Sequence, residues 1–590
     1  MSQKKLKKIR KEQTVLTGDN KTLEKVSGIR EILKNNWKFL LLLCIGVIGL
    51  YFNALRGDFV SDDYATIPQN PEILSIKAAM SPSFFVNLTK TFVAKIFGIN
   101  SPIAFHVTSL VLYLLIITSA FVFLNLFYDN LVARLAVIIF AVFPIHVEAV
   151  SWISGLPYLL TSLLVLIELS LLVLYLKSKN KKYLFFLLLF GLISIFTDRI
   201  RGFAFIILAG LLVVSFPEKI KLKINIFNII MAICLAFGVL LLTAWPMINN
   251  RIETVNSGVN TSESNFYNPF FQYPTAISKY LQLIVFPTDL TLYHTMYIIP
   301  VWLNWVILLT YLTATIWFWF KDKKIFFALV FIFGAAAQSM APVKVSWLVA
   351  ERYMFLGSLG MALLMAIYFE RWWNKRKNIT VFGLIILCLI YGTRTFLRNI
   401  DWQTNHNLWV NTCQVSPNSH NAWNNIGDDY DKLANLESTD EGKLRQYYNS
   451  IKGFEQSYAV KPNYADAYHN QANIFYKIGR LDLARNAYEQ AISYNPGLYQ
   501  TYRTLIQIDM AEKNNSELLR HLGVVQQMKP NDLEIAYISA VAYAQVGKTD
   551  EAKQLAEMMY KQFPQVNEIK NLYDSLQNLG STGSGTTKAN

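Results

Sequence analysis

Long apolar runs restrict what this chain can fold into more than any other feature of its sequence. Eleven runs are long enough, or nearly long enough when tilted, to cross the hydrocarbon core of a bilayer. They lie near residues 37–54, 103–127, 131–150, 156–176, 182–198, 200–216, 225–247, 298–320, 325–342, 350–369 and 379–397. Only 16% of the residues are charged, against about a quarter in soluble globular proteins. The sequence therefore predicts an all-α, polytopic membrane protein with about 11 transmembrane helices.

The positions of Lys and Arg predict the orientation in the membrane. A basic tail at residues 1–36 precedes the first run, and short basic loops follow at residues 177–182, 218–223, 321–324 and 371–377. Because basic loops stay cytoplasmic, we expect a cytoplasmic N-terminus and long external loops at residues 56–101 and 248–298. An odd number of spans then places the rest of the chain outside. A cleavable signal peptide is the alternative for the first run, although residues 53–57 offer no small-x-small cleavage site.

Charge and composition also bear on the partners and the compartment. The formal net charge of +15 does not predict a nucleic-acid-binding protein, because Lys and Arg cluster in the short loops between apolar runs. Cys44, Cys234 and Cys388 lie in apolar runs, so Cys413 has no partner for a disulfide within the polar part of the chain. A composition rich in Lys, Asn and Ile favours a bacterial plasma (inner) membrane over an endoplasmic reticulum.

The last third of the chain has a different pattern. From Pro417 it becomes polar and amphipathic, and Pro462, Pro496, Pro530 and Pro564 recur every 34 residues. This is the period of the tetratricopeptide repeat (TPR), a pair of packed helices. We predict four such pairs, stacked into an α-solenoid whose groove binds an acceptor polypeptide or a partner protein. The predicted domains are a cytoplasmic tail (1–36), a membrane domain (37–400), an extracytoplasmic TPR domain (401–579) and a disordered tail (580–590).

Two adjacent carboxylates lie early in the first external loop. The segment reads Phe59-Val60-Ser61-Asp62-Asp63, and Asn70-Pro71 follows it. Mutual repulsion tends to raise the pKa of one member of such a pair, and a raised pKa suits a general base. The alternative is a hydrated loop in which Asp62 caps a helix.

Three sequence patterns together resemble one enzyme family. The first is the segment from Phe59 to Asp63 with Asn70-Pro71. The second is Pro144-Ile145-His146-Val147-Glu148-Ala149-Val150, and the third is Ala350-Glu351-Arg352-Tyr353. With the repeats, they resemble the transmembrane and TPR-containing O-mannosyltransferases and their bacterial relatives, within the C-type (GT-C) glycosyltransferase superfamily. The resemblance covers nearly the whole chain.

The resemblance implies transfer of mannose or another hexose from a polyprenyl-phosphate lipid to a protein Ser or Thr hydroxyl on the external face. Asp62 would be the general base. Asp63 would hold the acceptor or, if one is used, a divalent ion such as Mg²⁺ or Mn²⁺; no dedicated metal site is predicted. The departing phosphate needs a cation, and a guanidinium matches phosphate oxygens. Arg352 is the predicted cation, with Glu351 to orient it and Lys344 as a second phosphate ligand.

Further polar residues are expected on the same face. Pro144 should break its helix and turn His146 and Glu148 toward the surface that carries Asp62. The predicted role of His146 and Glu148 is to bind the sugar or to support the carboxylates. A pair of metal ligands and an ordinary interfacial hydrogen bond are the alternatives. His294, in the late external loop, is a further candidate for substrate binding.

Asp198, Arg199 and Arg201 lie between two apolar runs that are too close together for a real loop. Each charge at bilayer depth costs about 2.5–3.5 kcal/mol, so we expect these charges to pair or to face the cavity, where both arginines would bind donor phosphate. The segment departs from the serine-lysine-glutamate of the family. Gly155-Leu156-Pro157-Tyr158 likewise departs from its glycine-arginine-x-aspartate. These departures leave the donor sugar open.

Two other classes of function compete with a transferase. One is a catalytically inactive, membrane-anchored TPR scaffold for envelope protein complexes. The other is a transporter, but the chain shows no pair of interrupted inverted repeats of the expected kind. Sugar transfer that depends on Asp62 would separate the transferase from the scaffold.

Overall fold

Helices are the regular elements of the structure, a computed structural model that describes residues 28–77, 80, 83–202, 204–216, 249, 268–337 and 347–578. No strand occurs among these residues, so the all-α prediction is confirmed. Most of the basic tail, the predicted run at residues 225–247, Lys344 and the C-terminal tail lie outside the described residues.

The described chain divides into two compact units. The first contains the described residues up to Asn411, and the second contains those from Thr412 onward. The helices that begin in the first unit are α1 (Ile29–Tyr51), α2 (Asp63–Thr66), α3 (Phe84–Phe97), α4 (Pro102–Asn125), α5 (Asn130–Ala141), α6 (Val147–Ser151), α7 (Leu156–Ser178), α8 (Lys181–Thr197), α9 (Arg199–Gly202), α10 (Ala204–Ser215), α11 (Pro269–Val285), α12 (Val301–Lys321), α13 (Lys323–Gly334), α14 (Ser358–Asp401) and α15 (Asn405–Val415).

Five helices of the first unit are long and apolar enough to cross a membrane, namely α1, α4, α7, α12 and α14. The bent pair of α5 and Pro144–Ser151 raises this number to six. Three causes explain the difference from the eleven predicted runs. Helices α8, α10 and α13 have 17, 12 and 12 residues, which is short for a bilayer core of about 30 Å. Helix α14 covers two predicted runs, with non-helical backbone at Arg376, and one run lies outside the described residues.

Pro144 breaks the third predicted run. Helix α5 ends at Ala141, and the chain bends by 60° before the segment Pro144–Ser151. Proline has no backbone N–H and its ring collides with the preceding turn, so the helix cannot continue through it. The predicted break is therefore confirmed. The break places His146 and Glu148 in the interior of the unit, where both are fully buried, and not on the surface that carries exposed Asp62 as predicted.

The second unit is a stack of helix pairs. Its helices are α16 (His420–Ala434), α17 (Asp440–Val460), α18 (Ala465–Lys477), α19 (Leu481–Tyr494), α20 (Tyr499–Glu512), α21 (Asn515–Met528), α22 (Leu533–Gln545), α23 (Thr549–Gln562) and α24 (Asn567–Asn578). The first eight form four packed pairs at the predicted positions, so the predicted TPR region is confirmed.

The turn inside each of the last three pairs uses the same backbone conformation. Gly479, Lys513 and Gly547 are spaced by 34 residues, and their φ angles are +77°, +58° and +82°. Glycine adopts this left-handed region without a steric penalty, whereas a residue with a Cβ atom does not. The third repeat therefore keeps the turn although it lacks the glycine.

We expect Lys513→Gly to raise the free energy of unfolding by about 1 kcal/mol, because it removes the Cβ atom from a left-handed residue. Lys553→Gly, in the interior of α23, is the matched control and should lower it by about 1 kcal/mol. Thermal unfolding of the purified full chain in detergent, followed by circular dichroism, measures both. A Lys513→Gly protein no more stable than the parent would contradict the expectation.

Candidate functional site

Asp63 fixes the first external loop to the segment that follows the broken helix. Its side chain is fully buried. Oδ1 accepts hydrogen bonds from the backbone N–H (2.7 Å) and the hydroxyl (2.5 Å) of Ser154, and Oδ2 accepts one from the N–H of Val60 (3.2 Å). Both oxygens of Asp63 are therefore engaged by the protein itself, which leaves Asp63 little capacity to hold an acceptor.

Asp62 is exposed, in contrast to its neighbour. It precedes α2, but its carboxylate accepts no hydrogen bond from the first turn of that helix, so the alternative in which Asp62 caps a helix is not found. Ser61, just before it, has a φ of +53° and donates its N–H to Asn405 Oδ1 (2.8 Å). The backbone is thus held on both sides of an open carboxylate.

Lys90 belongs to this cluster, and the sequence analysis missed it. Its ammonium donates to Thr66 Oγ1 (3.2 Å) and interacts electrostatically with both acids. Burial raises the pKa of Asp63 to about 6, although the Ser154 and Val60 hydrogen bonds and Lys90 oppose the shift. Burial lowers the pKa of Lys90, and the two carboxylates oppose that shift. Helical spacing places Lys90 on the buried face of α3, which signals that its side chain is buried but not that it lies beside the two acids.

Arg352 lies in a one-turn 3₁₀ helix, Glu351–Met354, and not within the following span, which becomes helical only at Ser358. Its guanidinium forms an ion pair with Glu148, and its backbone N–H donates to the same carboxylate (2.7 Å). The Glu148 side chain is fully buried, and that of Arg352 is 10% exposed. The Nε of Arg352 also donates to the hydroxyl of Tyr158 (3.3 Å).

Glu351 does not orient Arg352, contrary to the prediction. Its Oε1 accepts a hydrogen bond from the N–H of Thr291 (2.6 Å) and lies 3.3 Å from Arg398 and 3.5 Å from His294. Successive residues of a 3₁₀ helix point about 120° apart, which sends Glu351 and Arg352 to different partners. Glu351 and His294 therefore form a second charge cluster with Arg398, which interacts electrostatically with Glu148 and was not expected from the sequence.

His146 is held inside the fold by both ring nitrogens. Nδ1 lies 2.7 Å from the Tyr113 hydroxyl and Nε2 lies 2.7 Å from the Ser358 hydroxyl. The Ser358 hydroxyl also lies 2.7 Å from the carbonyl oxygen of Phe355. Because neither nitrogen is free, His146 fits the hydrogen-bonding alternative and not a metal pair with Glu148. It connects the broken helix to the start of α14.

A second guanidinium also contacts Tyr158. Arg201 donates to the Tyr158 hydroxyl (2.6 Å), lies 3.8 Å from the centre of its ring and forms an ion pair with Asp198. The expected pairing of the charges at residues 198–201 is therefore confirmed for Asp198 and Arg201. The side chain of Arg199 and all of Lys344 lie outside the described residues. Tyr158, noted only as a departure from the family pattern, bridges the two guanidinium groups.

The segment from Trp152 to Tyr158 brings the three sequence patterns together. Ser154 holds Asp63, whereas Trp152 lies 5.2 Å from the Arg352 guanidinium and Tyr158 bonds it. Gly155 makes this approach possible, because a Cβ atom there would lie 2.5 Å from the carbonyl oxygen of Ala149. The loop acids and the guanidinium groups are therefore held by the same short segment, Trp152 to Tyr158.

The acidic residues here do not fit a resident divalent ion. Asp63 uses both of its oxygens in hydrogen bonds, and the ammonium of Lys90 lies beside the pair. Among the described residues, one group of His and carboxylate side chains is close enough to hold a metal, namely Glu489, Glu517 and His521 of the second unit. There the guanidinium of Arg520 already bonds to Glu489 (2.8 Å) and Glu517 (2.6 Å).

Glu148→Gln should lower the free energy of unfolding by about 3–5 kcal/mol, because it leaves the buried charge of Arg352 without its counter-ion. Asp129→Asn is the control, since it removes one charge of the Lys324–Asp129 surface pair, in which Asp129 is exposed, and should change stability by less than about 1 kcal/mol. Thermal unfolding of the full chain in detergent compares them. Equal, small losses in both variants would show that the buried pair contributes little.

Comparisons with known proteins identify one family model and several sequence relatives. The tetratricopeptide-repeat family model matches residues 465–498. The protein O-mannosyl-transferase TMTC3 of Homo sapiens is 22% identical over 86% of this chain and 66% of its own length. The protein O-mannosyl-transferase F38B6.6 of Caenorhabditis elegans is 24% identical over 74% of this chain and 64% of its own length. The chain thus spans about two thirds of the length of these relatives.

Two solved structures match part of the chain. The MamA protein is 15% identical over 27% of this chain and 81% of that chain, with a TM-score of 0.23. YrrB, described as a TPR protein with an unusual peptide-binding site, is 13% identical over 35% of this chain and 97% of that chain, with a TM-score of 0.24. The sequence relatives confirm the resemblance indicated by the three patterns: this membrane protein is a homologue of the transmembrane and TPR-containing protein O-mannosyl-transferases.

Proposed function

We propose that this protein transfers a hexose, in the first instance mannose, from a polyprenyl-phosphate lipid to a Ser or Thr hydroxyl of a polypeptide. The observation that carries the proposal is the shared support at Trp152 to Tyr158. An exposed carboxylate beside an anchored one, and two guanidinium groups on one tyrosine, are held by the same seven-residue stretch. Acid-base chemistry and phosphate binding are the two requirements of such a transfer.

Asp62 is the general base in this proposal. A Ser or Thr hydroxyl is weakly acidic, so its proton must be removed as the oxygen attacks the anomeric carbon, with inversion there. Asp62 is exposed to an incoming hydroxyl, whereas Asp63 is buried under three hydrogen bonds. Asp63 therefore acts as a positioning residue that keeps the loop, and with it Asp62, in place.

Arg352 and Arg201 bind the departing lipid phosphate. Each is already balanced by one carboxylate, Glu148 or Asp198, so the site is close to neutral before the donor arrives. The Arg201 side chain is 26% exposed and that of Arg352 is 10% exposed, which makes Arg201 the more accessible donor of hydrogen bonds. Guanidinium forks match phosphate oxygens and stabilise the charge that grows on the leaving group.

The remaining candidates take supporting positions. Glu351 and His294 form the charge cluster with Arg398, and His146 links the broken helix to α14. Lys344 and Arg199 stay candidate phosphate ligands from the sequence alone. The basic loops support a cytoplasmic N-terminus, with the reaction and the repeats on the extracytoplasmic face. The composition rich in Lys, Asn and Ile supports a bacterial plasma membrane. The repeats then capture the acceptor polypeptide.

Asp62→Asn should reduce the rate of sugar transfer by about 10²- to 10⁴-fold, because the amide cannot accept the hydroxyl proton. Transfer is measured from a panel of polyprenyl-phosphate hexoses, including mannose, to a Ser/Thr-containing peptide in proteoliposomes. Asp58→Asn is the matched control, since Asp58 is another exposed acid of the same loop, and it should retain the parental rate.

An unaffected Asp62→Asn protein would remove Asp62 from the mechanism. Failure of the parent chain with every donor would instead favour the inactive TPR scaffold, in which the membrane unit only anchors the repeats.

The pH dependence of transfer tests the role of Asp63. As the pH falls through about 6, Asp63 gains a proton and can no longer accept all of its hydrogen bonds, so activity should fall. The Ser154 hydrogen bond lowers the pKa of Asp63, so its removal in Ser154→Ala raises that pKa and should move the loss of activity to higher pH. Ser178→Ala, whose hydroxyl bonds the carbonyl of Leu174 in α7, should leave the profile unchanged. A shift toward lower pH in Ser154→Ala would contradict this role.

A further inference from the structure

The acceptor hydroxyl of the proposed reaction needs a partner besides its base. A Ser or Thr hydroxyl has one hydrogen to donate and two lone pairs. The hydrogen goes to Asp62 and one lone pair attacks the anomeric carbon, so the second lone pair requires a hydrogen-bond donor. Asp63, which was predicted to hold the acceptor, already accepts hydrogen bonds from Ser154 and Val60 with both oxygens. An ionised carboxylate also has no hydrogen to donate.

Lys90 is the cation beside the two acids. It shares the buried face of α3 with Val93 and Ala94, and 8% of its surface is exposed. Its ammonium interacts electrostatically with both Asp63 and Asp62. Among the described residues it forms no direct ion pair with either acid, because its hydrogen bond goes to a neutral hydroxyl. The ammonium and the exposed carboxylate are therefore neighbours without being in contact.

The ammonium of Lys90 is fixed in position but not saturated. One of its three N–H groups donates to Thr66 Oγ1 (3.2 Å). Thr66 Oγ1 lies 3.5 Å from the hydroxyl of Ser154, which in turn donates to Asp63. The other two N–H groups have no hydrogen-bond partner in the part of the chain that the structure describes. Lys90 is thus connected to the anchor of the loop and keeps donors for an incoming oxygen.

We propose that Lys90 holds the acceptor hydroxyl by donating a hydrogen bond to its oxygen, while the hydroxyl hydrogen points to Asp62. The inference rests on the proposed function and adds to it the residue that orients the acceptor. A hydroxyl bonded on both sides cannot rotate, so its remaining lone pair has one direction. Hydrogen bonds from a charged donor are stronger than neutral ones, which favours the hydroxyl in this position.

The transfer step balances with Lys90 protonated throughout. The acceptor oxygen forms a bond to the anomeric carbon as its proton moves to Asp62. The bond between the anomeric carbon and the phosphate oxygen breaks, and its electron pair leaves with the phosphate. Lys90 donates its hydrogen bond both before and during the attack, so it contributes mainly to binding and orientation of the acceptor.

The binding of two labelled peptides tests the inference without a sugar donor. The peptides differ at one central position, which is Ser in the first and Ala in the second. Fluorescence anisotropy on the full chain in nanodiscs gives their Kd values. The parent should bind the Ser peptide about tenfold more tightly, because one charge-assisted hydrogen bond is worth about this much. In Lys90→Met, which keeps the methylene chain and loses the donors, this preference should fall to about twofold.

Two further variants show that the effect belongs to the ammonium. Lys95→Met is the matched control, because Lys95 is an exposed lysine of the same helix, and it should keep the parental preference. Thr66→Val removes the hydroxyl that fixes the ammonium and should lower the preference to about fivefold. Size-exclusion profiles and thermal unfolding in detergent check that all three variants stay folded.

Transfer kinetics separate acceptor binding from simple charge balance. Lys90→Met should raise the KM for the Ser peptide about tenfold and leave the KM for the polyprenyl-phosphate hexose unchanged, because Arg352 and Arg201 bind the donor phosphate in the proposed function. A lysine that only balances the charges of the two acids would not affect the acceptor selectively.

Several outcomes would overturn the inference. These are equal binding of the two peptides by the parent, an unchanged preference in Lys90→Met, an equal loss of preference in Lys95→Met, and equal rises in both KM values. If no donor supports transfer but the preference depends on Lys90, the proposed function fails and the hydroxyl site stands. If transfer occurs but the preference is independent of Lys90, the proposed function stands and this inference fails.

Discussion

A buried charge requires an opposite charge beside it, and Glu148 and Arg352 meet this requirement for each other in the interior of the membrane unit. Glu148 is reached only because Pro144 breaks a helix, and Arg352 is placed by a 3₁₀ turn that delays the start of α14. The ion pair and the hydrogen bond from the Arg352 backbone join these two irregular segments. Removing either partner would leave an uncompensated ion in the interior, so each irregularity stabilises the other.

The need of a buried ionised group for partners also explains why two adjacent carboxylates behave differently. Both carboxylate oxygens of Asp63 accept hydrogen bonds from Ser154 and Val60. These bonds anchor the loop, so Asp62 stays exposed in an ordered backbone. Lys90, from the buried face of α3, lowers the cost of keeping two negative charges together. A site that removes a proton needs one exposed carboxylate, which is Asp62, and the neighbouring Asp63 holds the loop in position.

The stack of repeats is stabilised in a different way, through contacts between neighbouring helix pairs. Each pair of helices contacts mainly its neighbours, so a repeat that lacks a consensus residue is tolerated when the adjacent pairs fit. Lys513 keeps the left-handed turn that glycine occupies in the repeats on either side. First helices of successive repeats are also joined directly, because Asn470 of α18 donates a hydrogen bond to Asn424 of α16.

The sequence by itself determined the elements. Apolar length predicted membrane helices, the 34-residue period predicted the helix pairs, and Pro144 predicted the break, because each of these depends on local chain geometry and on solvent. Family patterns also pointed to Asp62, Asp63, Glu148 and Arg352.

Only the tertiary structure decided which side chains pair with each other in the site. Nothing in the spacing of residues indicates that Arg352 pairs with Glu148 and not with adjacent Glu351, that Tyr158 bridges Arg352 and Arg201, or that Lys90 lies against the acids. These contacts join residues that are far apart in the chain, and which of them form depends on how whole helices pack. Charge pairing in a buried site is thus a property of the packed fold, whereas the elements that carry the charges are a property of the sequence.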